Sequence, residues 1–385
     1  MHCKCHSSIS DIPPSVWNEL FASENPFVQH AFLLALEESA CVTAQTGWQA
    51  QHMMLMDDEG RPLAVMPLYA KNNSYGEFVF DWGWADAYAR HGLDYYPKLV
   101  TAIPFSPVAG PRIGISADVV ESEVIIALLG AIHQLAESHN YSSWHLLFPG
   151  LRLQKALLGM KDEGAFLHRE AVQFHWFNRD YLTFDDFLST LRSSRRKNLK
   201  RERRRVAEQG VSLQRKMGGD ISDEEWRGFY HCYMSTYRKR SGHDGYLNYD
   251  FFDRLRTSMS DQLMLVVARR DEQIVACSLF LFDSRRLYGR YWGALQDVSC
   301  LHFEACFYQG IEFCIERELV EFDPGTQGEH KLMRGFEPVR SASYHWIADS
   351  RFRAAIAEFL DQERRGTREY QQQAETFLPF KKDQS

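Results

Sequence analysis

The 385-residue sequence has no run of about 18 apolar residues, the length a membrane-crossing helix needs. Its first ten residues, "MHCKCHSSIS", hold no apolar stretch of the kind that heads a secretory signal. The expected compartment is therefore the cytosol, with no membrane span and with any membrane contact peripheral. Excess positive charge is also lacking: the formal net charge is −7, which excludes a protein that coats nucleic acid indiscriminately and removes DNA as an expected partner. The eight cysteines are scattered, and Cys306 and Cys314 fall inside apolar helical pattern, so they read as reduced core thiols and not as a disulfide framework. Only "HCKCH", residues 2–6, has ligand-like spacing, and no second cluster completes a closed zinc site; no metal is expected.

Familiar catalytic signatures are missing as well. "GTQGEHK", residues 325–331, invites comparison with a phosphate-binding loop, but it lacks the Gly-x-x-x-x-Gly-Lys-Ser/Thr spacing and no long helix follows. No Cys-His or Ser-His pairing suggests a covalent nucleophile, and no sustained heptad pattern suggests a coiled-coil arm.

What is present is a large core and an internal repeat. With 45% hydrophobic residues the chain can bury a sizeable interior, and its length suggests two domains. Residues 51–100 and 261–311 follow one plan: an apolar run, a charged turn ("DDEG", "RRDEQ"), a second apolar run, a polar turn ("KNNS", "DSRR") and an aromatic strand ending at Trp82-Gly83 or Trp292-Gly293. A helix-length stretch follows each, then a strand, and each copy closes on a His-Trp strand, His175-Trp176 and His345-Trp346. The expected fold is α+β: two tandem units, each a mixed, mainly antiparallel sheet flanked by helices. The expected segments are residues 1–181, 182–350 with a basic entry helix, and 351–385 as an amphipathic helix and tail docked on the second unit. The Pro- and Gly-rich stretches 104–111 and 150–171 read as loop insertions.

The second unit carries the charged features. "RSSRRKNLKRERRR", Arg192 to Arg205, places nine Lys or Arg in fourteen residues on what reads as one long helix from about Thr183 to Gly210. Its apolar stripe (Leu188, Leu191, Leu199, Val206) also includes Arg195 and Glu202, so Arg195 and neighbouring Asn198 are candidates to face a ligand. Arg196 and Lys200 point outward, where they could follow phosphates. "SDEEWRGFYHCYMSTYRKR" opens with a Ser-x-x-Glu capping box. The loop "RSGHDGY" after it, with His243 and Asp244, could cover a substrate or be an ordinary turn.

The stretch "EFDPGTQGEHKLMRGFEP", residues 321–338, gathers Glu329, His330, Lys331 and Arg334 beside three glycines. Glu329 or His330 could take a proton from an amine, and Lys331 with loop N–H groups could polarise a carbonyl. Upstream, His302 and Glu304 begin a helix directly after the Trp-Gly strand, where backbone N–H groups can also hold an anion.

The repeated sheet unit, the "SSRRKNLKRERR" helix, "HFEACFYQGIEFCIE" and above all "EHKLMRGFEP" together resemble the FemAB-like peptidoglycan biosynthesis/recognition family of the GNAT acyltransferase superfamily. The resemblance runs from about Asn25 to about Phe380. It implies tandem GNAT-like domains and transfer of an acyl or aminoacyl group to an amine, with acyl-CoA or aminoacyl-tRNA as donor and a small or lipid-linked amine as acceptor. It draws attention to Arg195, Arg196, Asn198, His302, Glu304, Gln327, Gly328, Glu329, His330, Lys331 and Gly335-Phe336 without assigning the chemistry among them. On residue type we expect Glu329, His330, Lys331, His302 and Glu304 at the reacting groups and Arg195, Arg196, Asn198, Lys200, Gln327, Gly328 and Arg334 around the donor. The turn that binds CoA pyrophosphate in many GNAT enzymes is replaced here by "GALQDVSCLHFE". Beside transfer stands a non-catalytic alternative, a protein that binds cell-wall precursors or another anionic ligand on the same fold.

Overall fold

The computed structural model describes residues 1–159, 166–326 and 328–381. They form two compact units, residues 1–171 with 340–368, and residues 172–339 with 369–385. Among the described residues no helix is long and apolar enough to cross a membrane.

The first unit contains β1 (His2–His6), β2 (Trp48–Ala50), β3 (His52–Met56), β4 (Pro62–Met66), β5 (Tyr69–Lys71), β6 (Lys98–Thr101), β7 (Gly114–Ile115) and β8 (Ser143–Leu147). Its helices are α1 (Pro14–Phe21), α2 (His30–Glu38), α3 (Trp82–Arg90), α4 (Glu121–His139) and α5 (Leu151–Gly159). β1, β3, β4 and β7 make a small antiparallel sheet. The larger sheet runs β2-β5-β6-β8 and then takes β15 (Glu337–Ile347) as its next strand. The apolar positions Val124, Ile125, Leu128, Leu129 and Ile132 of α4, at helical spacing, bury against Leu99, Trp144 and Leu146.

The second unit contains α6 (Phe184–Thr190), α7 (Ser193–Glu208), β10 (Val211–Met217), α8 (Asp223–Ser241), α9 (Tyr249–Ser258), β11 (Leu263–Arg270), β12 (Gln273–Phe282), β13 (Arg286–Ala294), α10 (Leu301–Phe303), α11 (Gln309–Glu316) and β14 (Glu321–Asp323). Its sheet runs β10-β11-β12-β13-β14 and ends on β9 (Leu167–Phe177). In this sheet only β13 with β14 is parallel; in the larger sheet of the first unit only β6 with β8 is. The repeat therefore exists at the level of strand direction, and the mixed, mainly antiparallel α+β architecture holds in both units.

Several expectations are corrected. The His-Trp strands are exchanged: His175-Trp176 lies in the second unit's sheet beside Phe322, and His345-Trp346 pairs with His145 and Trp144 in the first. Residues 340–368 consequently belong to the first unit, and the helix α12 (Ser350–Thr376) is divided between the two, not docked wholly on the second. Trp82-Gly83 ends no strand but opens α3, because the left-handed turns at Gly76 and Phe78 break the extended chain and Asp81 accepts the first helical N–H groups. The 150–171 stretch contains α5 and the start of β9 as well as undescribed residues. The basic segment is two helices, interrupted at Leu191, which bridges to Phe380, and at Arg192, whose N–H donates to Pro379 O.

The capping box at Ser222 forms as read, its hydroxyl accepting from Glu225 N and its N–H donating to the Glu225 carboxylate. It starts α8, which lies so close to β13 that a Cβ on Gly293 would stand 1.8 Å from the Cys232 carbonyl oxygen. Gly293→Ala should therefore cost about 2–3 kcal/mol by forcing helix and strand apart. Urea unfolding measures this, and an unchanged midpoint would contradict the contact.

Candidate active site

β13 and β14 pair over only three positions, Arg286 with Glu321, Leu287 with Phe322 and Tyr288 with Asp323. Beyond them β13 runs on while the other chain turns away through Pro324 and Gly325, so the two strands part. On its other edge β13 carries a bulge: Gly289 pairs with Phe280 and Tyr291 with Leu279, leaving Arg290 as the extra residue. Its buried guanidinium reaches Asp323, donating to the carboxylate and, at 3.1 Å, to the main-chain oxygen. Asp323 also accepts from Gly325 N at 2.9 Å, and Arg290 with its other donors holds this carboxyl well below the usual range despite burial. His175 on β9 flanks the pair, 2.6 Å from Glu321 and 3.7 Å from Asp323.

From Gly325 the chain continues into a short 3-10 helix, Glu329–Arg334, which places Lys331 and His330. Lys331 is buried and donates to Gly325 O; burial lowers its ammonium from 10.5 to about 7, with Asp323 opposing and Arg290 reinforcing that shift. The His330 ring folds over Gly328, whose φ of +103° only glycine tolerates easily and where a Cβ would come 2.1 Å from the ring. The ring centroids of Phe303, Phe307 and His302 lie 5.5, 5.6 and 5.9 Å from that of His330. Its Nε2 is buried with no hydrogen-bond partner among the described residues.

His302 follows β13 by one turn of chain, its ring 5.4 Å from Trp292. Burial, then His330 and neighbouring cations, push it down to about 3; burial and the cations Arg334, Lys331 and Arg240 lower His330. The helix then widens into a π-type turn over Glu304–Tyr308, and all five of these side chains are buried. Such turns recur at functional sites because one added residue redirects the side chains around it. Cys306, raised to about 12 by burial, lies there 3.5 Å from the Ser278 hydroxyl.

The remaining charged candidates have other partners. Glu304 accepts two 3.0 Å hydrogen bonds from Arg203, which also binds Glu312 at 2.6 Å and packs over Phe184. Arg334 pairs with Glu202 at 2.7 Å and lies 3.4 Å above the Phe303 ring. Glu329 is exposed and accepts from Tyr370 OH at 2.8 Å. Arg195 donates to Met333 sulfur at 3.2 Å, Asn198 accepts from Arg201 at 3.2 Å, and Lys200 pairs with Asp185 at 2.8 Å. Arg196 stays on the basic face of α7 and Gln327 lies outside the described residues. Asp244 pairs with Arg238 in an exposed turn. An open groove of ≈ 610 Å³ runs along α7, lined by Phe184, Asp185, Leu188, Lys200 and Arg204 among others.

The structure thus brings His302, Gly328, His330 and Lys331 together and directs Glu304 and Glu329 elsewhere, while Arg334 donates to the His330 carbonyl at 2.8 Å with its charge paired to Glu202. Sequence reading missed Arg290, Asp323 and Arg240. A charge between Phe322 and Pro324 in a short strand was the available signal for Asp323; nothing local announced the bulge.

The first unit holds a second buried polar chain that the sequence did not suggest. Lys98 Nζ donates to Glu77 and Ser74 at 2.9 Å and to Asp81. Tyr95 OH donates to Asp81 at 2.6 Å and meets His145 at 3.2 Å, and His145 and His345 share an Nδ1 to Nδ1 hydrogen bond of 2.6 Å. Here lysine and carboxylates neutralise one another, an arrangement that supports strand packing.

Taken together, two sheets with the same strand directions, each with one parallel pair among antiparallel neighbours, define the tandem GNAT fold. The FemAB-like family model, described as peptidoglycan biosynthesis/recognition, matches residues 8–382, and the chain belongs to that family. No curated protein matches it in sequence. Among solved structures it resembles FemX, at 12% identity, with 93% of this chain and 100% of that one covered and a TM-score of 0.54. The C-terminal domain of a putative lysylphosphatidylglycerol synthetase from Agrobacterium fabrum shares 8% identity, covers 91% of this chain and 96% of its own, and has a TM-score of 0.54. A tandem GNAT protein from the clavulanic acid biosynthesis pathway shares 10% identity over 90% of this chain and 98% of its own, with a TM-score of 0.50. At these identities the structural likeness speaks to fold.

Burial lowers His145 from 6.5 to about 3 and His345 well below its ordinary value. A histidine depressed on folding contributes stability that is complete above the unfolded value and lost as pH falls from 6.5 toward 3, by about 1.4 kcal/mol per pH step for each. Glu77, raised to about 7, acts in the opposite sense, its contribution being lost as pH rises from 4.5 toward 7. Urea unfolding across this range should show a shallower acid loss in the His145→Gln, His345→Gln double variant than in the parent, with Glu77 common to both. Equal slopes would refute the assignment.

Proposed function

We propose that the protein is an N-acyltransferase or aminoacyltransferase that moves an activated acyl or aminoacyl group to an amine acceptor in the cleft where β13 and β14 part. The observation that carries this reading is His330: a neutral ring whose buried Nε2 has no hydrogen-bond partner among the described residues, beside a lysine lowered to about 7. An acceptor nitrogen attacks the donor carbonyl, His330 Nε2 takes the nitrogen's proton, and the Lys331 ammonium stabilises the oxyanion. Collapse breaks the carbonyl bond to the carrier, which leaves with the proton, and no covalent enzyme intermediate is needed. Family membership supports a cell-wall precursor as acceptor.

For the donor, the basic face of α7 and its groove favour a carrier with many phosphates, an aminoacyl-tRNA, over acyl-CoA. Donor affinity should then fall steeply with salt, and Arg196→Ala or Arg204→Ala should lower that slope by about one each. A flat salt response measured by filter binding would point to a carrier with few phosphates.

His330→Gln should lower kcat by about 10² to 10⁴. Because Lys331 acts as the cation, kcat/KM should decline as pH rises through about 7, and Lys331→Arg should remove that limb. Product formation followed by mass spectrometry tests both. Tight precursor binding without product from either donor type would favour the non-catalytic alternative.

A further inference from the structure

The pocket around His302 and His330 has a charge imbalance. Among the described residues, every charged group acting on either ring is a cation: Arg240 from the last turn of α8, Lys331 and Arg334. The nearby acids have partners elsewhere. Asp323 is bound by Arg290 and Gly325 N–H, Glu202 by Arg334, Glu304 by Arg203, and Glu329 turns to Tyr370. Cys306 adds no charge, since burial holds its proton. Phe303, Phe307 and Trp292 pack around the two rings, and buried Lys331 is the cation least screened by solvent.

Two half-buried imidazoles, one with an Nε2 that has no partner among the described residues, beside the cations Arg240 and Lys331 and an Arg334 already paired with Glu202, make a poor resting environment for positive charge and a good one for an oxyanion. We propose that the substrate brings the missing negative charge, a carboxylate or phosphate close to the reacting atom, held between His302, His330 and Arg240. This rests on the transfer reading and narrows its substrate class. A bound oxyanion makes each neighbouring imidazole a better proton acceptor, so His330 becomes an effective base only once the substrate is seated. An amine or acyl carrier without an adjacent oxyanion would bind and still leave the base weak.

The test uses the full chain with no acyl donor present, so that it does not depend on turnover. Side-chain ¹H–¹⁵N NMR of the histidines is followed while inorganic phosphate, and separately acetate, is added at constant ionic strength. The expected result is saturable change at His302 and His330 with a rise of about 1 in the pKa of His330. Arg240 is exposed, so Arg240→Gln should fold normally and weaken binding about tenfold, the loss of one charge-assisted hydrogen bond. Lys155→Ala on α5 of the first unit, an exposed lysine, should leave binding unchanged. Response to phosphate alone identifies a phosphate-bearing substrate, and response to acetate alone a carboxylate. No saturable change at either ring, or binding indifferent to Arg240→Gln, would overturn the proposal. If His330→Gln abolishes turnover while neither anion binds, the transfer reading stands and this inference falls. Anion binding with no product from any donor would do the reverse.

Discussion

The second unit depends on the buried pair of Arg290 and Asp323. Where β13 and β14 part, strand hydrogen bonding stops, and exposed main-chain oxygens would face an apolar interior. The bulge at Arg290 supplies the missing donors, since the guanidinium binds the Gly289 and Asp323 carbonyls as well as the carboxylate. Desolvating two charges is costly, and these hydrogen bonds offset that cost. Everything downstream follows from it: Asp323 fixes Gly325, Gly325 receives Lys331, and the turn that carries Lys331 presents His330.

The two units show how one topology takes two uses. In the first, the strand beside the parallel pair contributes His345, which closes on His145, and Lys98, Asp81 and Tyr95 complete a chain that occupies itself. In the second, the carboxylates are drawn to arginines of α7 and of the 3-10 turn, and His330 keeps an imidazole nitrogen with no partner among the described residues.

Much of this was legible from residue order. Turn residues and apolar runs located β11, β12 and β13, the Ser222 box located α8, and the charge cluster after Asp323 located the loop that carries His330 and Lys331. The periodicity of Leu188, Leu191, Leu199 and Val206 suggested one helix because it registers only which side is buried. The break at Leu191 arises from a contact with Phe380, nearly two hundred residues away. For the same reason sequence could propose Glu304 and Arg334 as chemical groups but could not see Arg203 and Glu202 waiting across from them. Exchange of the His-Trp strands was invisible, since either strand satisfies either sheet by pattern alone.

That exchange sets an order of events on the ribosome. The first unit includes residues 340–368, so its sheet cannot gain its outer His345 strand until most of the polypeptide has emerged. At elongation speeds of roughly 5–20 residues per second, the nascent first half waits with the β8 edge unpaired while the second half is made. During that interval β8, fully buried in the finished molecule, presents an unpaired edge to which another chain could add.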